Sequence, residues 1–198
     1  IGTVDLRGHG DDVELTKIAG QVTISGDYTG TVTMHDLAKP VRVQDMRTQL
    51  EIQQIPGEVR LERGSLDLQN VVGPLKLNTH DTDVELDGVL NDVNMTIDKG
   101  DVEIRPARVP LGKMNIRTRS GNIEVALPES AHFALNASTD HGEIDNEYGD
   151  SLTQQTQGRG ANLRGTVGNG PDVVLNTGRG SITVRKTNAE QAGPTKAA

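Results

Sequence analysis

Aliphatic-x-aliphatic triplets recur along this chain at a step of about nine residues, and that period constrains its fold more than any single motif. They begin with VDL at 4, VEL at 13, VTI at 22 and VTM at 32, and continue with VRV at 41, LEI at 50 and VRL at 59. LDL at 66, LKL at 75, VEL at 84, VNM at 93 and VEI at 102 follow. The joints between triplets alternate in kind. One is polar and glycine-rich (RGHGDD, SGDYTG, ERGS, DKGD), and the other places an aliphatic three residues past the strand and then Gly or Pro (TKIAG, QQIPG, QNVVG). Two triplets therefore make one unit of about 18 residues, and nine unit starts fall at 4, 22, 41, 59, 75, 93, 114, 133 and 173.

Such units have a reason to stack. Within a triplet, alternation sends the outer two side chains to one face and the middle one to the other. One rung alone cannot bury its apolar face, but rungs piled at about 4.8 Å pair their backbones and join their aliphatics into a column. Ile18, Leu37, Ile55, Val71 and Val89 recur at the second joint and are expected to plug that corner from inside. The composition agrees: 23 glycines supply corners, and the aromatics are only Tyr28, Phe133 and Tyr148. The fold class expected is all-β, a parallel β-solenoid of about nine rungs, with a meander of antiparallel hairpins as the competing arrangement. One domain covers 1–185, broken by a polar excursion at 146–170 that holds a short strand near 163–167. Residues 149–160 are expected to lie outside the stack, and 186–198 to form a flexible tail.

The rungs LKLNTHDTDVEL, MNIRTRSGNIEV and VVLNTGRGSITV, with LRGTVGNG before the last, resemble the bacterial putative-adhesin family, a group of β-helical domains of unknown function. The resemblance covers nearly the whole chain. It implies a right-handed solenoid and a place in the cell envelope, behind a signal or membrane anchor, and it supplies no catalytic residues.

Several function classes are disfavoured by the residues themselves. A net charge of −8 argues against nucleic acid as a partner, since that binding rests on cations neutralising phosphates. Cysteine is absent, so thiolate metal sites and disulfides are excluded. No apolar run is long enough to span a bilayer, and a chain starting at Ile1 reads as one whose targeting segment has been trimmed. Three corners combine histidine with carboxylates: His9 with Asp11 and Asp12, His80 with Asp81 and Asp83, and His141 with Asp140 and Glu143. They sit on distant rungs and none offers the three or four ligands a zinc ion uses, so no metal or other cofactor is expected. Only GHGDDVEL approaches the calcium β-roll motif, and the recurring aspartate that motif needs is missing. Carbohydrate cleavage would use paired carboxylates, usually beside aromatic platforms, and the platforms are scarce.

Charge separates the two outward columns. The middle residues of the second triplets include Glu14, Glu51, Asp67, Glu85, Glu103, Glu124 and Asp145, seven acids among nine positions. The first triplets instead bring Arg42, Arg60 and Lys76. Like charges on neighbouring strands repel, so such a ladder needs ions, neighbours or a partner to offset it. The expectation is thus a non-enzymatic surface or scaffold module of the cell envelope, adhesin-like, with those seven residues as a binding face for an unknown protein or surface ligand. The competing expectations are a polysaccharide-active enzyme and a scaffold that stacks weakly through its own ends.

Overall fold

In the computed structural model, which describes residues 2–187, the triplets become strands of two facing sheets. The first two rungs are β1 (Val4–Gly10) with β2 (Val13–Thr16), and β3 (Val22–Tyr28) with β4 (Val32–Leu37). The chain continues through β5 (Val41–Gln44), the long β6 (Thr48–Glu62) and β7 (Ser65–Gln69). Two further rungs are β8 (Val72–Asp81) with β9 (Asp83–Val89), and β10 (Val93–Lys99) with β11 (Val102–Pro106). Next come β12 (Met114–Ser120) with β13 (Ile123–Pro128), and β14 (Phe133–Thr139) with β15 (Ile144–Asn146). A hairpin of β16 (Leu152–Gln157) and β17 (Gly160–Val167) precedes the last rung, β18 (Asp172–Thr177) with β19 (Ile182–Thr187). Outer triplet residues face inward and are buried, as at Val84, Leu86, Val93 and Met95, while Glu85 and Asn94 between them are exposed. The architecture is all-β and solenoid-like.

The corners follow the two kinds of joint. Leu37, Ile55, Val71 and Val89 are at most 3 % exposed and fill the second corner, and Ile18 is half-buried there. Lys17, Asp36, Asn70 and Gly88, each directly before a plug, take positive φ so that the chain can turn its aliphatic inward. At the first corner the glycines approach one another closely. A Cβ on Gly121 would collide with the carbonyl oxygen of Gly100 on the neighbouring rung, so only glycine fits at that rung spacing.

Two departures from a simple parallel stack matter. First, the units expected at 41 and 59 are not parallel turns. β5 ends in a tight reversal at 45–47, and β6, 15 residues long, runs back antiparallel across both sheets. Its first half pairs with β5 and β8, and its second half with β4 and β7. A second reversal at Arg63 and Gly64 restores the direction. Secondly, the last rung lies inside the stack. β18 pairs with β12 on one side and β14 on the other, and β19 lies between β13 and β15. Within 146–170 the short strand expected near 163–167 is part of the longer β17, and 152–157, expected to lie outside the stack, form β16. β17 pairs antiparallel with β14, β16 pairs with β17, and Leu152, Ala161 and Leu163 are buried against the core. The tail expected at 186–198 lies from residue 188 onward outside the described residues, while 186–187 end β19.

Tyr148 packs at the base of that hairpin. Its ring meets Phe133 edge-on at 5.1 Å, its hydroxyl donates to the carbonyl oxygens of Leu127 and Pro128 at 3.2 Å each, and Lys186 Nζ lies 4.9 Å from the ring centre. Burial, then the charges of Glu129 and Glu147, push its hydroxyl up to about 12. A raised folded-state value means that this contribution is complete below the unfolded tyrosine value of about 10 and is lost as pH rises through the folded value. Tyr148→Phe is expected to cost about 1 kcal/mol at pH 7 and to flatten the alkaline loss of stability between about pH 10 and 12. Denaturant unfolding at a series of pH values checks both, and an unchanged alkaline limb would refute the assignment.

Candidate functional site

The outward column of one sheet, called sheet B, is set by strand register. Across it run Glu14, Thr33, Arg60, Asp67, Glu85, Glu103, Glu124, Thr183 and Asp145. Four of the seven expected acids, Asp67, Glu85, Glu103 and Glu124, are therefore consecutive neighbours. Glu14 is separated from them by Thr33 and Arg60, and Asp145 by Thr183. Glu51 does not belong to the ladder. The reversal of β6 carries it to the opposite sheet, called sheet A, between Arg42 and Lys76, and brings Arg60 into the acidic column in exchange.

The four acids are also less bare than the sequence suggests. Arg105, two residues past Glu103 on β11, donates to Glu85 Oε1 at 2.9 Å and pairs with Glu103, and Arg185 Nη1 lies 2.9 Å from Glu124 Oε1. Asp67 has no ion pair among the described residues. Its carboxyl is raised above the usual range by burial first and by Glu85 next, with Arg60 opposing. A raised carboxyl holds its proton more tightly when folded, so its ionisation costs stability at neutral pH and the cost is relieved as pH falls through the folded value. Asp67→Asn is expected to raise the melting temperature at pH 7 and to leave it unchanged at about pH 3, a value below both carboxyl states. A lower melting temperature at pH 7 would show that Arg60 compensates the charge.

Beside the ladder, carboxylates at the first corner have a structural task. Asp83 Oδ1 accepts the backbone N–H of Asp101 at 2.8 Å, Asp101 Oδ1 accepts that of Asn122 at 2.7 Å, and Asn122 Oδ1 accepts that of Ser181 at 2.9 Å. Each side chain stitches one rung to the next. The histidine corners are similarly dispersed. Asp11 and Asp12 accept from Thr29 and from the N–H of Thr31. His80 Nδ1 meets Asp98 at 2.8 Å rather than Asp81 or Asp83, and His141 and Glu143 offer their backbone carbonyls to the last rung. Among the described residues no three such side chains are arranged to hold a metal ion.

Sheet A presents a different surface, which the sequence reading passed over. A row of mostly uncharged polar side chains runs in register across it: Arg7, Ser25, Gln44, Gln49, Asn78, Thr96, then Arg117, then Asn176, Ser138, Asn162 and Gln155. The signal was present in VRVQ, LKLN, VNMT and VVLN. Where the reversal at 45–47 overhangs this sheet, a groove of about 610 Å³ opens, lined among others by Arg47, Asn78, Thr96, Asp98, Arg117 and Arg119. Asp98 Oδ1 holds Arg119 Nε at 2.6 Å. Arg47 and Arg117 form no ion pair among the described residues. Met46 stands on the overhang, 87 % exposed.

A family model described as Toastrack DUF4097 matches residues 2–185. No curated protein and no solved structure matches the chain.

Proposed function

Starting from the chain's membership of the Toastrack DUF4097 family, a domain of unknown function, we propose that it is a non-enzymatic surface or scaffold module of the bacterial cell envelope. The observation that carries the reading is the segregation of chemistry between two outer faces of one stack. Sheet B shows the run of four acids, and sheet A the uncharged polar row with its cationic groove. A stack of paired strands keeps such rows at fixed spacing, which suits recognition of extended partners. The envelope assignment rests on the resemblance of its rungs to bacterial adhesin-type domains. A right-handed winding is part of the same proposal, supported by the strong preference of parallel strand-to-strand crossovers for that hand.

The test is to express the full-length protein in its native host, fractionate the cells, and assay the purified chain for release of reducing ends from acidic and neutral glycans. Recovery with the envelope and no release is the expected result. Release would overturn the non-enzymatic reading in favour of a polysaccharide-active enzyme, and recovery in the cytosol would overturn the location. Self-stacking is the second reading, favoured by the half-buried Val4, Leu6, Val13 and Leu15 on the outermost described strands. Light scattering that rises with concentration at neutral pH would support it.

A further inference from the structure

We propose that the outer face of sheet A is the ligand-binding surface of this module, and that the ligand is an extended uronate-bearing polysaccharide lying along the row from Gln44 to Gln155. This rests on the reading of the chain as a non-enzymatic binding module. Nine strands contribute to this part of the row, so at about 4.8 Å per strand it extends about 38 Å. A straight row of that length matches a linear polymer better than a compact ligand.

The row selects for hydroxyls. Amide side chains offer donors and acceptors together, and hydroxyls do the same, which complements the mixed donors and acceptors of sugar rings. Large apolar and aromatic anchors, which dominate protein interfaces, are missing from the row itself. Aromatic platforms for stacked bases are missing too, and one arginine in nine strands is too little charge for a phosphate backbone.

The groove selects for carboxylate. Arg117 lies within the row and Arg47 overhangs it, both without an ion pair among the described residues, while Arg119 and His80 share Asp98. Asp45, the other acid lining the groove, is occupied in its own turn, accepting the N–H groups of Arg47 and Thr48. Two free guanidiniums beside a floor of Asn78 and Thr96 fit a carboxylate flanked by hydroxyls, since a guanidinium binds carboxylate through two parallel hydrogen bonds.

Affinity electrophoresis and calorimetry with polygalacturonate, dextran and polyglutamate test the proposal on the full-length protein. Polygalacturonate is expected to bind; dextran, which lacks the carboxylate, and polyglutamate, which lacks the hydroxyls, are expected to bind at least tenfold more weakly. Arg47→Gln with Arg117→Gln should weaken polygalacturonate binding at least tenfold at an unchanged melting temperature, and Asn176→Ala several-fold. Glu85→Gln on sheet B should leave it unchanged. Equal binding of polyglutamate or single-stranded DNA would reduce the effect to charge and overturn the proposal, as would an unaltered affinity in the double arginine variant. No binding of polygalacturonate by protein with an intact melt also overturns it, and leaves the non-enzymatic module standing. Release of reducing ends from bound polygalacturonate would sink the non-enzymatic reading while leaving sheet A as the binding face.

Discussion

A chain ended at residue 171 is expected to lose cooperative folding altogether. That cut removes β18 and β19, which lie between other strands on both sides, so two pairs of ladders disappear together. Val173, Leu175, Ile182 and Val184 are fully buried, and at roughly 1.5–3 kcal/mol for each side chain their loss sums to roughly 6–12 kcal/mol. A domain of this kind has only about 5–15 kcal/mol in total. The gap left between β12 and β14 cannot close cheaply, because β14 and β15 are joined to β13 by a short connection and have their own hairpin on the far side. A circular-dichroism melt without a sharp transition, together with an expanded hydrodynamic radius, is the expected outcome. A truncated protein that still melted sharply would show that β14 can pair directly with β12, and the intercalated order would be wrong.

The second large effect concerns one residue and its neighbour. Val84→Asp places a charge where the side chain is 2 % exposed and faces Leu66 and Val102 on the flanking strands. Nothing there can pair with it, and the expected loss is about 4–5 kcal/mol. Glu85→Lys, one residue on, points out of the opposite face. It removes the pair with Arg105 but stands between Asp67 and Glu103, so the change in stability should stay within about 1 kcal/mol. Thermal melts of the two variants side by side decide the matter, and equal losses would mean that the faces have been exchanged.

Most inward positions were legible because they depend only on local alternation. Leu37, Ile55, Val71 and Val89 could be assigned to a corner since each recurs at one offset from its triplet and each is apolar among polar neighbours. Strand direction was not legible. A period of two reads the same forwards and backwards, so LEI at 50 and VRL at 59 look identical in a parallel turn and in the reversed β6. A clue did exist in the spacing. VRL at 59 and LDL at 66 start only seven residues apart, enough for a hairpin through Arg63 and Gly64 but too little for a corner and a crossing. That one missed reversal moved Glu51 out of the acidic column and Arg60 into it. Intercalation left no local trace, because Asn115 meets Val174 and nothing in the intervening 58 residues announces the gap between them. Part of the polar row on sheet A was visible as the residue after VRV, LKL, VNM and VVL, whereas Gln49, Ser138, Asn162 and Gln155 join it only through the reversed β6, the intercalated β18 and the hairpin.

The order of the rungs also governs how a protein of this kind can lengthen over evolutionary time. Solenoids usually grow by tandem duplication at an end, where a new copy simply adds to the pile. Here the rung of β18 and β19 is a keystone held between two earlier ones, and a copy placed directly after β19 would emerge from the middle of the stack with no neighbouring strand free to receive it. Duplication across β5 to β7 would double a reversal and exchange the charged columns again. The turn of β10 and β11 runs parallel to its neighbours on both sides and in register with them, so a unit such as residues 93–113 can be copied there in frame. Each copy would add one more asparagine and threonine to sheet A and one more glutamate to sheet B, lengthening both surfaces by one strand spacing.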